Sequence, residues 1–283
     1  MEKCVLITGV STGIGLAVTQ RLLADGVFDH VYGSVRRAAD AEGLRVAYPD
    51  RFTGLVFDVT DAEARAAGVA RIESDGRQLT ALINNAGIAL SGPLELLEEE
   101  EYRRQFEVNV FGLLGVTQAC LPHLHRAREA GVERVRIVNI SSVSGIITSP
   151  FTAIYSASKF AVESLTDGLR RELLPFGIDV ISVAPGPIKT PIWQKATSRK
   201  GRYTGTRYEP LLANMGEYIK NAEADALPAS EVATSVVEAL TAKKPAPFIM
   251  VMKKKWLIGL VRRLPKRMVD RLTSKRLREA RRY

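Results

Sequence analysis

The sequence predicts an α/β fold in which a parallel sheet is covered by helices on both faces. Three observations predict it. Strand-like and helix-like patterns alternate along most of the chain, and the strands are apolar over most of their length. The first strand also runs through a glycine cluster straight into a helix.

Residues 3–8 (KCVLIT) form a short apolar strand. Residues 13–24 follow as a helix with Ile14, Ala17, Val18 and Leu22 on one face. Residues 30–35 read as the second strand and 54–59 as the third. Thr60-Asp61-Ala62-Glu63 has capping-box spacing, with a hydroxyl and a carboxylate to satisfy orphan amides of a helix reaching about Ser74. Residues 79–84 are the fourth strand, 100–128 one long helix, and 135–140 the fifth strand. A helix over 153–174 ends at Pro175 and Gly177. The sixth strand is 178–183, a helix runs from Ser230 to Leu240, and 248–252 is the seventh strand. Right-handed crossovers then give a single doubly wound Rossmann domain with a seven-stranded parallel sheet over residues 1–252. The least regular stretch, 193–225, lies beyond a strand's carboxyl end, where substrate-binding segments collect. Residues 253–283 form a basic amphipathic helical extension.

At 283 residues, 46% hydrophobic and 25% charged, the chain has the composition of an ordinary globular protein. The net charge of +9 is unevenly spread. Thirteen Lys/Arg against two acids, Asp270 and Glu279, put +11 on residues 251–283, which leaves about −2 on the rest. A near-neutral body gives a nucleic-acid role no support. Cys4 and Cys120 form neither a CxxC pair nor a disulfide framework, so they read as buried thiols in a reducing, cytoplasmic compartment. The first strand starts too early to leave room for a signal peptide, and no apolar run is long enough to span a bilayer. No metal is expected: the three histidines are His30, His123 and His125, and His123-x-His125 reads as solvated surface.

The glycine cluster is Thr8-Gly9-Val10-Ser11-Thr12-Gly13-Ile14-Gly15. Its glycines let the backbone turn tightly and approach a pyrophosphate, and the helix behind aims unpaired amides and its positive end at the phosphates. After the second strand comes Ser34-Val35-Arg36-Arg37, with no carboxylate for a ribose 2′-hydroxyl. An Arg there suits the 2′-phosphate of NADP(H), although Arg36 and Arg37 also read as plain surface residues.

With Asn84-Asn85-Ala86-Gly87, Asn109, Ser142, Tyr155-x3-Lys159 and Pro185-Gly186 in order behind the Gly-x3-Gly-x-Gly loop, the chain resembles the short-chain dehydrogenase/reductase family from about Lys3 to Met252. Tyr155 and Lys159 stand one helical turn apart and face the same way. A free Tyr has a pKa near 10, and an ammonium beside it favours the phenolate, so Tyr155 is expected to be the general acid in reduction and the base in oxidation. The resemblance implies that Lys159 also holds the nicotinamide ribose, that Ser142 hydrogen-bonds the substrate oxygen, and that Asn109 holds a water in a proton relay. Ser141 is assigned a structural role. A hydroxyl of the glycine loop, Ser11 or Thr12, is expected to add a contact to the 2′-phosphate. Asp58 and Val59 match the adenine edge, Asn85, Ala86 and Gly87 the ribose-side wall, and Pro185, Gly186, Ile188 and Thr190 the segment that holds carboxamide and diphosphate.

Val31-Tyr32-Gly33-Ser34-Val35-Arg36, Gly92-Pro93-Leu94-Glu95 and Lys159-Phe160-Ala161-Val162-Glu163 resemble the 17β-hydroxysteroid and retinol dehydrogenase-like branch. That branch implies a hydrophobic ketone, aldehyde or alcohol that is steroid-, retinoid- or lipid-like. No His follows His125, so a His for a distal steroid hydroxyl is absent from the substrate segment. In the tail, Leu257, Val261, Leu264, Met268 and Leu272 follow helical spacing, basic residues flank them, and Pro265 forces a kink or a new helix start. It reads as an interfacial amphipathic element for peripheral membrane contact, against a helix packed on the body or a partner subunit, or a frayed end. The family implies a homo-oligomer. Two other functions compete: a ketoacyl reductase of carrier-bound substrates, and a non-catalytic NADP(H)-binding sensor.

Overall fold

A computed structural model describes residues 2–190, 201–213 and 224–279. Seven strands form one sheet, all neighbours parallel: β1 (Lys3–Ile7), β2 (His30–Val35), β3 (Phe52–Val56), β4 (Gln78–Asn84), β5 (Val135–Ile140), β6 (Ile178–Pro185) and β7 (Phe248–Val251). Their order is β3-β2-β1-β4-β5-β6-β7, so the chain reverses direction across the sheet between β1 and β4. The crevice outside the strand ends at that point is where such sheets bind ligands.

Alternating side chains build two cores. In β1, Val5 and Ile7 face one side while Cys4 and Leu6 face the other. The first face is covered by α1 (Gly13–Asp25), α2 (Glu42–Ala47) and α8 (Ala229–Thr241), through Leu22, Leu44 and Val236 among others. The second is covered by α3 (Ala62–Ser74), α5 (Leu113–Glu129) and α6 (Ala153–Leu173), through Ile72, Leu124 and Leu173. Both thiols lie in this second core, where burial pushes Cys4 up to about 12 and Cys120 higher still, so neither is a nucleophile at neutral pH.

Three expectations are corrected. The capping box does not form: Thr60 donates to Asp58 Oδ1 at 2.8 Å, and the N-cap of α3 is Asp61, whose carboxylate accepts from the Ala64 amide at 3.0 Å. The third strand lies two to three residues earlier than expected, because Phe57 and Val59 are buried as lining beyond the pairing with β2. The long helix is not uniform. It divides into α4 (Glu99–Phe106), a π-helical turn (Glu107–Gly112) and α5. The other α-helices among the described residues are the short α7 (Glu209–Ala213) and the tail pair α9 (Lys255–Arg263) and α10 (Lys266–Glu279), which meet at Pro265 as expected. No helix among the described residues is long and apolar enough to cross a membrane.

Candidate active site

The glycine loop leaves β1 at the switch point. Gly9 and Gly13 have φ of 72° and 62°, a region L side chains avoid. Gly15 is needed for packing: a Cβ there would stand 2.2 Å from the Gly9 carbonyl oxygen. The Gly9 amide donates to Ser34 Oγ at 3.1 Å, which ties the loop to β2. Thr12 caps α1 without a side-chain bond, and the first turn of α1 holds no acid, so the helix start presents amides and positive potential to an anion.

Asn85 differs from the expected wall residue in one respect. Its amide donates to the carbonyls of Thr8 and Gly9 at 2.9 and 3.0 Å, bracing the glycine loop, while Thr8 Oγ1 accepts from the amides of Asn85 and Ala86, both at 2.9 Å. Asp58 uses one carboxylate oxygen on Thr60. Of the two arginines after β2, Arg37 chelates Asp40, while Arg36 lines the cleft. A Cβ on Gly13 would meet the Thr190 side chain at 3.4 Å, which sets the Pro185–Thr190 segment close to the loop.

Tyr155 and Lys159, on α6, are only 8% and 6% exposed. Burial pushes the Tyr155 phenol above its ordinary value, and a hydrogen bond from Ser142 opposes that rise. Lys159 stands near: its Nζ donates to the Ile140 carbonyl at 2.9 Å and lies 5.9 Å from the centre of the Tyr155 ring. Burial pushes Lys159 down to about 8, opposed by Glu163. Ser142 sits at the end of β5, its Oγ accepting from the Ser144 amide at 3.0 Å. Asn109 occupies the π turn, a distortion that recurs at functional sites. Its two amide hydrogens go to the Ile88 carbonyl and Ser158 Oγ at 3.0 and 3.1 Å, and Ser158 in turn donates to the Tyr155 carbonyl. Its side chain thus braces the Ile88 loop against the turn that carries Tyr155 and has no amide hydrogen left for a water.

These residues line one cleft of about 1020 Å³. Every expected site residue lines it except Gly15 and Asn109, which stand one layer behind. Of residues 193–225, expected to bind substrate, residues 201–213 and 224–225 are described and the rest lie outside the described residues. Arg202 pairs with Glu98 and Glu101 at the start of α4, and Tyr208 donates to Glu95 at 2.6 Å. Gly92 leaves room for Tyr203, whose hydroxyl a Cβ would meet at 2.1 Å. Opposite Tyr208 stands Phe151, the one non-glycine residue with positive φ among the described residues.

Residues 3–201 match the family model described as short chain dehydrogenase. The chain belongs to this family. An NADPH-dependent 3-dehydrocapnine reductase of Ornithobacterium rhinotracheale is 40% identical over 277 residues, 97% of each chain. A 3-ketodihydrosphingosine reductase of Bacteroides thetaiotaomicron is 38% identical over 188 residues, 66% of this chain and 65% of the relative. Human 17-beta-hydroxysteroid dehydrogenase type 1 is 35% identical over 255 residues, 85% of this chain and 75% of the relative. A solved short chain dehydrogenase of Burkholderia cenocepacia in complex with NADP superposes with a TM-score of 0.74 at 25% identity, over 95% of this chain and 96% of that one. This short-chain dehydrogenase is an NADP-dependent oxidoreductase, and the loop, the unpaired α1 amides and Arg36 fit that cofactor.

Some lining of the dehydrogenase cleft was not anticipated. Arg103, Arg104 and Glu107 reach it from α4 and the π turn, and Ser141 lines it with a buried hydroxyl that has no partner among the described residues. No spacing rule marks such residues, because tertiary packing alone turns α4 towards the cleft. The histidines are engaged elsewhere: His30 with Thr53, His123 with Arg126, His125 edge-on to Phe176.

Proposed function

We propose that this dehydrogenase reduces a ketone on a lipid-like apolar substrate at the expense of NADPH, with Tyr155 as proton donor. The observation that carries the reading is that Ser142, Tyr155 and Lys159 line the same cleft as the glycine loop, with Tyr155 and Lys159 buried. NADPH, when bound, supplies the hydride to the carbonyl carbon. Ser142 donates a hydrogen bond to the carbonyl oxygen, and the Tyr155 hydroxyl delivers its proton there as charge develops. The raised Tyr155 pKa keeps that proton in place at neutral pH. Lys159 holds the ribose side of the cofactor and offsets the phenolate left behind. Asn109 is a positioning residue that acts through Ser158. Arg36 meets the 2′-phosphate, with Ser11 or Thr12 beside it, and Asp58 and Val59 meet the adenine.

The substrate class is supported by two relatives whose names denote 3-dehydro and 3-keto substrates, one of them a sphingoid. We further infer a homo-oligomer, since Phe111 and Phe160 are exposed beside α5 and on α6. The test is NADPH consumption across a panel: 3-ketodihydrosphingosine, a retinal, a steroid ketone and a ketoacyl thioester. Fastest turnover on the long-chain amino ketone is expected. Exclusive activity on the thioester would replace this reading by carrier-bound ketoacyl reduction.

A further inference from the structure

The tail carries an unpartnered surface. No residue of α9 is buried, and no described residue of α9 or α10 belongs to either core. Trp256 is 70% exposed, and Leu257, Leu260, Met268 and Leu272 are exposed as well. Trp256, Leu257 and Leu260 share one side of α9, and Met268 and Leu272 stand one turn apart on α10. Flanking them are Lys255, Arg262, Arg263, Lys266, Arg267 and Arg271, all exposed and none ion-paired with another described residue.

Charge selects the occupant. A second copy would bring another +11 tail against this one, and the rest of the chain, at about −2, is a poor counterpart. A surface both apolar inside and negative outside matches both features. We propose that α9 and α10 dock this enzyme on anionic lipid bilayers, lying in the interface plane with Trp256 at the headgroup level.

The root of the tail is tied to the cleft. Met252 packs against Gly186, where a Cβ would meet it at 2.8 Å. Lys254 pairs with Asp225 at 2.7 Å, and Lys253 donates to the Ala224 carbonyl at 3.3 Å. Docking therefore sets the end of the 193–225 segment beside the lipid. The benefit to catalysis rests on the lipid-like substrate reading, but the docking does not.

The experiment uses the full chain with vesicles of phosphatidylcholine alone, or with about a third phosphatidylglycerol. Sedimentation with the anionic vesicles is expected, weakening as salt shortens the Debye length. In a Trp193→Phe background Trp256 is the remaining tryptophan, and its emission should shift to the blue on binding. Trp256→Ser/Leu260→Ser, and separately Arg262→Gln/Arg263→Gln/Arg267→Gln, should each lower partitioning at least about tenfold. Unchanged melting and NADPH affinity in these variants show that they remain folded, whatever the substrate proves to be. The proposal is overturned if the protein stays in the supernatant with both vesicles, if neutral vesicles retain it equally, or if binding survives loss of the apolar pair. It is also overturned if Leu260→Ser converts an oligomer to monomer in sedimentation velocity, which makes the face a subunit contact.

Discussion

Arg36 and Arg37 are adjacent, and only the fold separates their roles. The missing acid after β2 was legible as a preference for a 2′-phosphate, but which arginine meets it depends on backbone direction, and Arg37 turns out to chelate Asp40. Arg36→Ala should weaken NADPH binding about tenfold to a hundredfold and leave NADH nearly unchanged, while Arg37→Ala, at an exposed pair, should do little. Titration of both cofactors checks this, and equal loss from either variant would sink the assignment. Lys159 gives a pH signature. Its pKa is pushed from 10.5 down to about 8 by burial, so the amine is charged below that pH and neutral above it. If the charged form grips the cofactor, NADPH affinity is level below about pH 7 and falls as pH rises through 8, by up to about tenfold per unit. Because folding disfavours the charged amine, its contribution to stability has the opposite sense and rises between pH 8 and 10.5. Lys159→Met should flatten both profiles. Asn85 and Asn109 stood out in the sequence because their motifs are distinctive. Their use as braces did not, since a side-chain amide does not reveal in sequence which carbonyl it will find.

At the scale of elements, apolar pattern reports burial, and burial is not always pairing. That is why the β2 boundaries agree with the sequence while β3 is displaced by the buried cleft lining of Phe57 and Val59. Likewise Thr60 and Asp61 both suit an N-cap, and local competition from Asp58 decides between them. The π turn at Glu107–Gly112 has no periodic signature, and it is stabilised by contacts distant in sequence, such as Asn109 with Ser158. Gly15 shows an element-level constraint read for a different reason: it admits the glycine loop against α1. Gly15→Ala should destabilise the protein by about 1–3 kcal/mol through loop displacement and weaken NADPH binding with it, which thermal melts and titration would reveal together. The Gly92–Glu95 motif acquires a physical reason as well, since it seats Tyr203 and Tyr208. Arg202→Ala removes the tie to Glu98 and Glu101. It should raise KM for the ketone severalfold with NADPH affinity intact, whereas a change in NADPH affinity alone would show that the segment has no part in substrate binding.

For the whole molecule, the parallel sheet was legible because each strand must bury both faces, and that requirement writes continuous apolar runs into the sequence. The path of the cleft followed from it, since the reversal between β1 and β4 gathers the ends of the glycine loop, β5 and α6. Specificity was less legible, because contacts such as Gly92 with Tyr203 and Glu95 with Tyr208 join residues far apart in sequence. The central claim is that Tyr155 delivers the proton in a cleft otherwise sufficient to hold NADPH. The direct measurement is steady-state reduction of a long-chain 3-keto substrate by wild type and Tyr155→Phe, with NADPH affinity measured on the same preparations. Removing one hydroxyl while keeping the ring should cut turnover by at least about 10²-fold and leave NADPH affinity within about twofold. A Tyr155→Phe enzyme that turns over at near the wild-type rate would contradict the account.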